Sequence, residues 1–249
     1  MATTVTAPRL KVHALSRSYG DFRAVKDISF TVDSGEVVGL VGPNGAGKTT
    51  TLRCLTGIIR PTRGRITVAG HDMAESPERA KSALAFMPDE PALFDSITVT
   101  EHLRVVARLF GVSNPNPTIE RLLAEFDLTA KRDAFPDALS RGMKQKLVIA
   151  CGLVHEPDVL IFDEPLTGLD PGSISRMKTT ILDRARDGAA VVLSSHLLHL
   201  VEELCTRVLV IAEGRFVAEG TLDEIAASQP EFAGLGIEEL FMALTGPAA

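Results

Sequence analysis

Short runs of apolar residues, bounded by glycine, proline or charged residues, recur along the chain and predict the strands of a central sheet. The uninterrupted apolar run from Val159 to Phe162 is typical of a parallel strand that is buried on both faces. The segment from Ala189 to Ser195 follows the same pattern, and residues 36–41 and 83–87 predict two further short buried strands. The pattern therefore predicts an α/β fold with a mostly parallel sheet.

Alternating apolar and polar residues predict antiparallel strands before and after the segments that form the parallel sheet. Residues 10–14 and 24–30 alternate in this way, which predicts an N-terminal antiparallel β subdomain. Residues 208–211 and 215–218, joined through Glu213-Gly214, predict a closing hairpin.

Between residues 99 and 149 the apolar positions recur at helical spacing, as in Leu103, Val106 and Ala107. Gly111 ends the first helix, and the helical period resumes at residues 119–126. We interpret this region as a helical insert in the α/β core. The predicted organisation is a flexible leader at 1–8, a core formed by 9–87 and 151–221, the insert at 88–150 and a C-terminal helical tail at 222–249.

Composition and charge narrow the possible functions. The 249 residues carry a net charge of −6 with a pI of about 5.6, which argues against a nucleic-acid groove because such grooves are rich in Lys and Arg. No apolar stretch approaches the roughly eighteen residues that a membrane span needs, and residues 1–8 do not resemble a signal peptide. The three cysteines are far apart without zinc-site spacing, so we expect buried free thiols. We expect no direct membrane insertion, and contact with a membrane only through a partner.

The segment from Gly42 to Thr49 fits the phosphate-loop pattern G-x-x-x-x-G-K-[ST] between a predicted strand and an apolar helix face. Its glycines let backbone N–H groups turn inward at a helix N-terminus, where the helix dipole also favours an anion. Lys48 is expected to reach the β- and γ-phosphates and Thr49 to ligate Mg²⁺; a glycine-rich turn without a ligand is the alternative. The predicted nucleotide contacts in this loop are Gly42, Asn44, Gly45, Gly47, Lys48, Thr49 and Thr50.

Two carboxylates, Asp163 and Glu164, end the apolar strand that begins near Pro157. Ligands of open α/β sheets collect at the C-terminal ends of the strands. In phosphate-loop ATPases, a carboxylate here holds the Mg²⁺ shell, and an adjacent glutamate can orient or deprotonate the attacking water. A solvated turn is the alternative, and the sequence lacks the N-K-x-D segment of a GTPase. The pair therefore favours ATP hydrolysis.

Two further positions carry candidate chemistry. Tyr19, the only tyrosine, precedes the phosphate loop and is either a platform for an adenine ring or a half-buried strand residue. Ser140 precedes a segment rich in Lys and Gln and is a good helix N-cap, which makes this helix start a second anion site.

Together these motifs resemble the nucleotide-binding domain of ATP-binding cassette (ABC) transporters. The resemblance extends from Leu10 to about Leu222, and it implies a RecA-like P-loop NTPase core with a helical insert that carries the signature motif. The motifs that carry it are Tyr19, Gly42 to Thr49, Leu139 to Lys146, Asp163 to Pro165, Gly168 to Asp170, and Ser195-His196.

The resemblance implies a role for each matched residue. Tyr19 would stack on adenine, Asp163 would associate with magnesium, and Glu164 would be the catalytic base. His196 would be the switch histidine that contacts the γ-phosphate. The remaining matches concern a dimer, in which Ser140 and Gly142 face the ATP of the opposite protomer and Asp170 links the two sites.

The chain departs from the family pattern at two places. Asp89 lies where the family's linker usually carries a glutamine that reaches the magnesium and the attacking water. Asp89 can approach the metal or accept from a water, but its carboxylate cannot donate. The signature loop has Arg141 and Met143 where the commonest form has Gly and Gln. This S-[KR]-G-M form and the short ending at 237–245 resemble the branch of single-cassette exporter ATPases, of the ABC-2 and multidrug type, that pair with a separate six-helix permease.

The resemblance implies an ATPase that uses ATP and Mg²⁺, dimerises head to tail with an identical or different ATPase subunit, and drives a separate permease from the cytoplasmic face of the cell membrane. No nucleic-acid partner is expected. The segment from Asp89 to Leu103, with Leu93, Phe94 and Ile97 as apolar anchors, would receive the permease, although ordinary core packing is the alternative. A soluble regulatory or scaffold ATPase without a permease is the alternative function.

Overall fold

The computed structural model describes residues 7–228 and 237–246, and it begins with an antiparallel sheet. In sheet order the strands of this sheet are β2 (Phe22–Val32), β1 (Leu10–Tyr19), β4 (Arg63–Val68) and β5 (His71–Asp72). The predicted antiparallel subdomain is therefore confirmed. Its first hairpin is longer than the alternation indicates, because register shifts along β1 interrupt the alternating pattern. Of the predicted leader at 1–8, residues 1–6 lie outside the described residues.

The second sheet is mostly parallel, as predicted. In sheet order its strands are β10 (Arg215–Gly220), β9 (Arg207–Ala212), β3 (Val37–Val41), β8 (Ala190–Ser194), β7 (Val159–Asp163) and β6 (Leu84–Met87). Strand β10 pairs with β9 in the predicted antiparallel hairpin, whereas the other neighbouring strands run parallel.

The register of the parallel strands brings their C-terminal ends side by side. Met87 of β6 lies opposite Phe162 of β7, and Asp163 lies opposite Ser194 of β8. Ser194 in turn lies opposite Leu40 of β3. The loops that follow these strands therefore leave the sheet along one edge, which we call the carboxylate edge.

Both faces of the parallel sheet are covered, which explains the unbroken apolar runs in the sequence. Successive side chains of a strand point to opposite faces, so Val37 and Val41 join one hydrophobic cluster whereas Val38 and Leu40 join the other. The helices, in chain order, are α1 (Lys48–Leu55), α2 (Pro77–Ser82), α3 (Val99–Leu109), α4 (Asn116–Glu125), α5 (Arg141–Leu153), α6 (Pro171–Arg186), α7 (Leu198–Leu204), α8 (Leu222–Ala227) and α9 (Ile237–Thr245).

The predicted helical insert contains α3, α4 and α5. Helix α3 begins at a capping box in which Thr98 Oγ1 accepts from the Glu101 N–H and the Glu101 carboxylate accepts from the Thr98 N–H. Helix α5 is capped by Ser140, whose Oγ accepts from the Met143 N–H at 3.2 Å. It continues through the predicted insert boundary at 150–151 and ends at Leu153.

The last two helices lie in the predicted C-terminal tail, of which residues 229–236 and 247–249 lie outside the described residues. Leu240 of α9 is buried against the larger hydrophobic cluster, and Phe241 and Leu244 pack beside it. Among the described helices, none combines the length and the apolar character that crossing a bilayer requires.

The three cysteines are free thiols, as expected. Cys54 is buried, whereas Cys151 and Cys205 are partly exposed, so the expectation of full burial is wrong for these two thiols. Burial raises the pKa of the Cys54 thiol to about 11 and the pKa values of Cys151 and Cys205 to about 12. The thiols are therefore protonated at neutral pH.

Candidate active site

The segment after β3 is a tight loop that leads into α1. Gly47, the residue before the helix, has a φ of 110°, and a Cβ at this position would lie 2.6 Å from the Ala24 carbonyl oxygen. A Cβ at Gly42 would lie 2.3 Å from the Ile211 carbonyl oxygen. Only glycine fits at these two positions, because the loop packs against the backbones of β2 and β9.

The loop leaves the start of α1 open to an anion. In the described structure no side chain caps this helix, and the N–H groups of a first helical turn have no partner within the helix. Asn44, Gly45 and Thr49 are exposed around this start, and Thr50 is half-buried. The arrangement fits the phosphate site that the sequence predicts.

Lys48 lies folded into the loop. Its Nζ donates to the carbonyl oxygens of Gly42 at 2.6 Å and Pro43 at 3.2 Å. Burial lowers the pKa of Lys48, whereas the negative charges of Glu164 and Asp163 raise it. The two carboxylates therefore lie close enough to act on the ammonium group. A phosphate would give this group a charged partner, which makes a stronger hydrogen bond than a carbonyl does.

Ser194 holds both carboxylate residues at the carboxylate edge. Its Oγ donates to Oδ1 of the buried Asp163 at 2.6 Å and accepts from the Glu164 N–H at 3.1 Å. A buried carboxylate needs such a donor, because its desolvation is otherwise costly. Ser194 was not among the predicted site residues. The available signal was a hydroxyl at the end of an apolar strand, two residues before His196.

Glu164 and His196 form a hydrogen-bonded pair beside Asp163. The φ of Glu164 is 51°, a left-handed conformation that is strained for a residue other than glycine. Its Oε2 accepts from His196 Nδ1 at 2.8 Å and from the His196 backbone N–H at 3.4 Å. With Nδ1–H engaged, the Nε2 atom remains for a ligand, and it donates a hydrogen bond only when the imidazole is charged. The pair can therefore orient a water molecule next to an acceptor for its proton.

Tyr19 ends β1 and is 44% exposed. The guanidinium carbon of Arg17 lies 4.5 Å from the centre of its ring, which is the geometry of a cation–π contact. Arg17 thus covers one face of the ring, and a stacking base would need the other face.

Ser140, Gly142 and Asp170 form a group that we call the signature face. A Cβ at Gly142 would lie 3.6 Å from Leu169 Cδ2, so the start of α5 lies against the loop before α6. Asp170 caps α6, because its Oδ1 accepts from the Ser173 N–H at 3.0 Å and its Oδ2 from the Ser173 hydroxyl at 2.6 Å. These bonds lower the pKa of the Asp170 carboxyl. Both Ser140 and Asp170 are exposed.

Asp89 lies in the turn after β6, two residues beyond the pairing of Met87 with Phe162. The register therefore places it at the carboxylate edge. Among the described residues, no group of three or more His, Cys, Asp or Glu side chains could hold a metal ion. Proteins commonly bind Mg²⁺ through one or two carboxylates together with substrate phosphates and waters. Asp163, Thr49 and Asp89 are the candidate protein ligands.

Comparison with known proteins identifies the family. Residues 25–167 match the family model described as "ABC transporter". The chain is also 35% identical over 240 residues to the ABC-type transporter ATP-binding protein EcsA of Bacillus subtilis (strain 168), a match that covers 95% of this chain and 96% of the relative. The chain belongs to the ABC transporter family.

Two solved structures of ABC proteins match this fold. One, an ATP-binding subunit of an ABC transporter, has a TM-score of 0.90 and 37% identity, and the match covers 94% of this chain and 98% of that chain. The other, a dimeric ATP-binding cassette bound to ADP and Pi in a post-hydrolysis state, has a TM-score of 0.79 and 20% identity, with 86% and 98% covered. The predicted family, the RecA-like fold and the predicted class of function, an ATP-hydrolysing transporter subunit, are confirmed.

Proposed function

We propose that this chain hydrolyses Mg-ATP between two ABC subunits and drives export through a separate permease. The observation that carries the proposal is the separation of the site into two parts. Lys48, Asp163 and Glu164 are assembled at one edge of the sheet, whereas Ser140 and Gly142 lie on the signature face, where solvent reaches Ser140. In this proposal, a second chain brings its signature face to the nucleotide bound at this edge.

Each residue at the carboxylate edge has a distinct task in this proposal. Lys48 and the first-turn N–H groups of α1 bind the β- and γ-phosphates. Glu164 accepts the proton of the attacking water, and His196 orients Glu164 and contacts the γ-phosphate. Mg²⁺, held by Thr49 and Asp163 with Asp89 nearby, would neutralise charge on the phosphates. Tyr19 stacks on the adenine.

A head-to-tail dimer completes the site with the signature face of the second copy. Ser140 and Gly142 then approach the γ-phosphate, and Asp170 lies between the two nucleotides. The same chain carries both parts, so a homodimer is sufficient. The S-R-G-M signature supports the exporter branch.

The permease is proposed to dock beside the carboxylate edge, at the cytoplasmic face of the membrane. Phe94 is 64% exposed, and its N–H donates to Nε2 of the buried His102 at 3.0 Å. Leu93 and Ile97 are half-buried on either side. An exposed aromatic side chain on a main chain that is fixed in this way suits an apolar anchor for a partner.

The catalytic part of the proposal is tested by phosphate release from Mg-ATP. We expect turnover that requires Mg²⁺, increases with protein concentration as dimers form, and disappears in Lys48→Ala. Turnover that is independent of protein concentration and unaffected by Lys48→Ala would refute the proposed site.

The permease is tested by co-purification from detergent-solubilised membranes. We expect a polytopic membrane protein with the parent chain and a loss of that protein with Phe94→Arg, while ATP hydrolysis without the permease is retained. Ile58→Arg is the matched control, because Ile58 is 60% exposed and lies outside the proposed docking segment. Equal recovery with both variants would place the permease elsewhere.

A further inference from the structure

Asp89 and Arg141, at which the chain departs from the family pattern, lie next to each other. Arg141 Nη2 is 3.7 Å from Asp89 Oδ1, and the two side chains are 62% and 43% exposed. Arg141 is the first residue of α5 and directly follows Ser140, whereas Asp89 follows β6. An ion pair therefore connects the carboxylate edge to the signature face within one chain.

The carboxylate of Asp89 is incompletely paired. In the described structure its Oδ1 is buried and has no hydrogen-bond partner. A distance of 3.7 Å to Arg141 is too long for a hydrogen bond. A buried carboxylate oxygen without a donor is unfavourable, and the nearby positive charge of Arg141 offsets part of this cost.

Helix α5 also holds the backbone of the turn that contains Asp89. The Nε2 atom of the buried Gln145 donates to the Pro88 carbonyl oxygen at 3.2 Å. Arg141 and Gln145 are four residues apart and so lie on the same face of the helix. One face of α5 thus contacts both the main chain and the side chain of the turn at 88–89.

Arg141 contacts the loop before α6 as well. A Cβ at Gly168 would lie 3.4 Å from Arg141 Nε and 3.6 Å from its Cδ, so the arginine side chain lies against this glycine. Gly168 precedes Asp170 by two residues. The Arg141 side chain therefore contacts both the turn at Asp89 and the loop that leads to Asp170. Arg141 also directly follows Ser140.

We infer that Arg141 is a positioning residue whose pair with Asp89 fixes the signature face relative to the carboxylate edge of the same chain. The inference rests on the proposed function, because the positioned face is the one offered to the second copy. When the pair is lost, Ser140 and Asp170 are less well placed for the partner's nucleotide. ATP-dependent dimerisation then weakens, whereas a monomer that has lost only Arg141 binds nucleotide as the parent does.

The test is a double-mutant cycle on dimerisation. In a Glu164→Gln background, the Mg-ATP concentration for half-maximal dimerisation is measured by sedimentation for Arg141→Gln, Asp89→Asn and the double variant. We expect about a two- to fivefold increase for each single variant, the range of a partly exposed ion pair. The double variant should be no worse than the poorer single variant, because both changes remove one interaction. Arg141→Lys, which keeps the charge, should recover part of the loss.

A second readout and a control separate positioning from general damage. Binding of a fluorescent ATP analogue to monomeric Arg141→Gln at low protein concentration should stay within about twofold of the parent, below the two- to fivefold change expected for dimerisation. Arg132→Gln is the matched control, because it removes the Arg132–Glu120 ion pair elsewhere in the insert and should leave dimerisation unchanged.

The outcomes distinguish this inference from the function on which it rests. Additive losses in the double variant, or normal dimerisation of Arg141→Gln in a background that itself dimerises, would overturn the inference alone. A Glu164→Gln parent that remains monomeric with Mg-ATP would overturn the proposed dimer and the inference together.

Discussion

The carboxylate edge and the signature face differ in how completely one chain fixes their geometry. At the carboxylate edge, Asp163 is buried and hydrogen-bonded to Ser194, and Glu164 is hydrogen-bonded to His196. At the signature face, Ser140 and Asp170 are exposed and accept hydrogen bonds from the first turns of their own helices.

This difference suggests that the two regions contribute to different steps, one to the reaction and the other to binding of a second chain. Groups that stabilise charge during a reaction are effective when they are held in place beforehand, and the carboxylate edge meets that requirement. Exposed polar groups at a helix start remain available to bind a ligand or a second chain. Substitutions at the carboxylate edge should therefore reduce turnover within a formed dimer, whereas substitutions at the signature face should reduce dimer formation.

The largest effect is expected for Glu164→Gln. The amide keeps the shape and can still accept from His196 Nδ1, but it cannot take the proton of the attacking water. We expect kcat to fall by about 10²–10⁴-fold while an ATP-bound dimer accumulates, as measured by phosphate release and sedimentation. Glu156→Gln is a control, because Glu156 also has a left-handed φ of 51° but precedes β7 at the opposite end of the strand. Turnover in Glu164→Gln above a tenth of the parent value would show that Glu164 does not accept the proton of the attacking water.

Ser140→Asp examines the signature face with a smaller expected effect. Aspartate caps a helix about as well as serine, so the free energy of unfolding should be unchanged. Its charge would face the γ-phosphate of the partner's ATP, so we expect at least about a tenfold increase in the Mg-ATP concentration needed for dimerisation. Chemical denaturation and sedimentation measure the two effects. Normal dimerisation of this variant would show that Ser140 does not face a nucleotide.

The sequence predicted the carboxylate edge well because its residues follow local patterns. The phosphate-loop spacing identifies Lys48, the end of an apolar strand identifies Asp163 and Glu164, and parallel pairing brings strand ends together. Partners from distant segments were not predictable in this way. Nothing near Asp163 specifies Ser194, and nothing near Asp89 specifies Arg141, because such pairs depend on strand order and helix orientation.

Helix α6 shows the same limit at the level of secondary structure. Its apolar residues Ile174, Met177 and Ile181 have helical spacing, yet no helix was predicted there. The segment begins with Pro171-Gly172, which is typical of a turn but is also compatible with a first helical turn. The structure shows that Asp170 is the N-cap of this helix, a role that the resemblance alone did not indicate.

Ser194→Ala probes whether the carboxylate edge depends on its supporting hydroxyl. The change removes the donor to Asp163 and the Oγ acceptor of the Glu164 N–H, which should cost about 1–3 kcal/mol of stability and up to about tenfold in kcat. Ser195→Ala is the matched control, since Ser195 is also buried but its Oγ accepts from the Leu197 N–H. Steady-state kinetics of dimeric protein should show a kcat loss for Ser194→Ala alone. Equal losses would mean that the whole turn, rather than the Asp163 contact, supports turnover.

The smallest effect is expected for Asp170→Asn, which retains a helix cap but removes the charge. Hydrogen bonds from Ser173 hold the folded-state pKa of Asp170 below its unfolded value, so its contribution to stability is present above the unfolded pKa and is lost as pH falls through the folded pKa. We expect the variant to melt slightly below the parent at pH 7 and the difference to shrink below the usual aspartate pKa of about 3.9. Calorimetry across this pH range measures the shift. If the difference in melting temperature persists in acid, it arises from lost packing and not from the lost charge. If dimerisation also fails at pH 7 although the fold is nearly unchanged, then Asp170 acts across the interface. The signature face would then contribute more to binding the second chain than to the stability of its own chain.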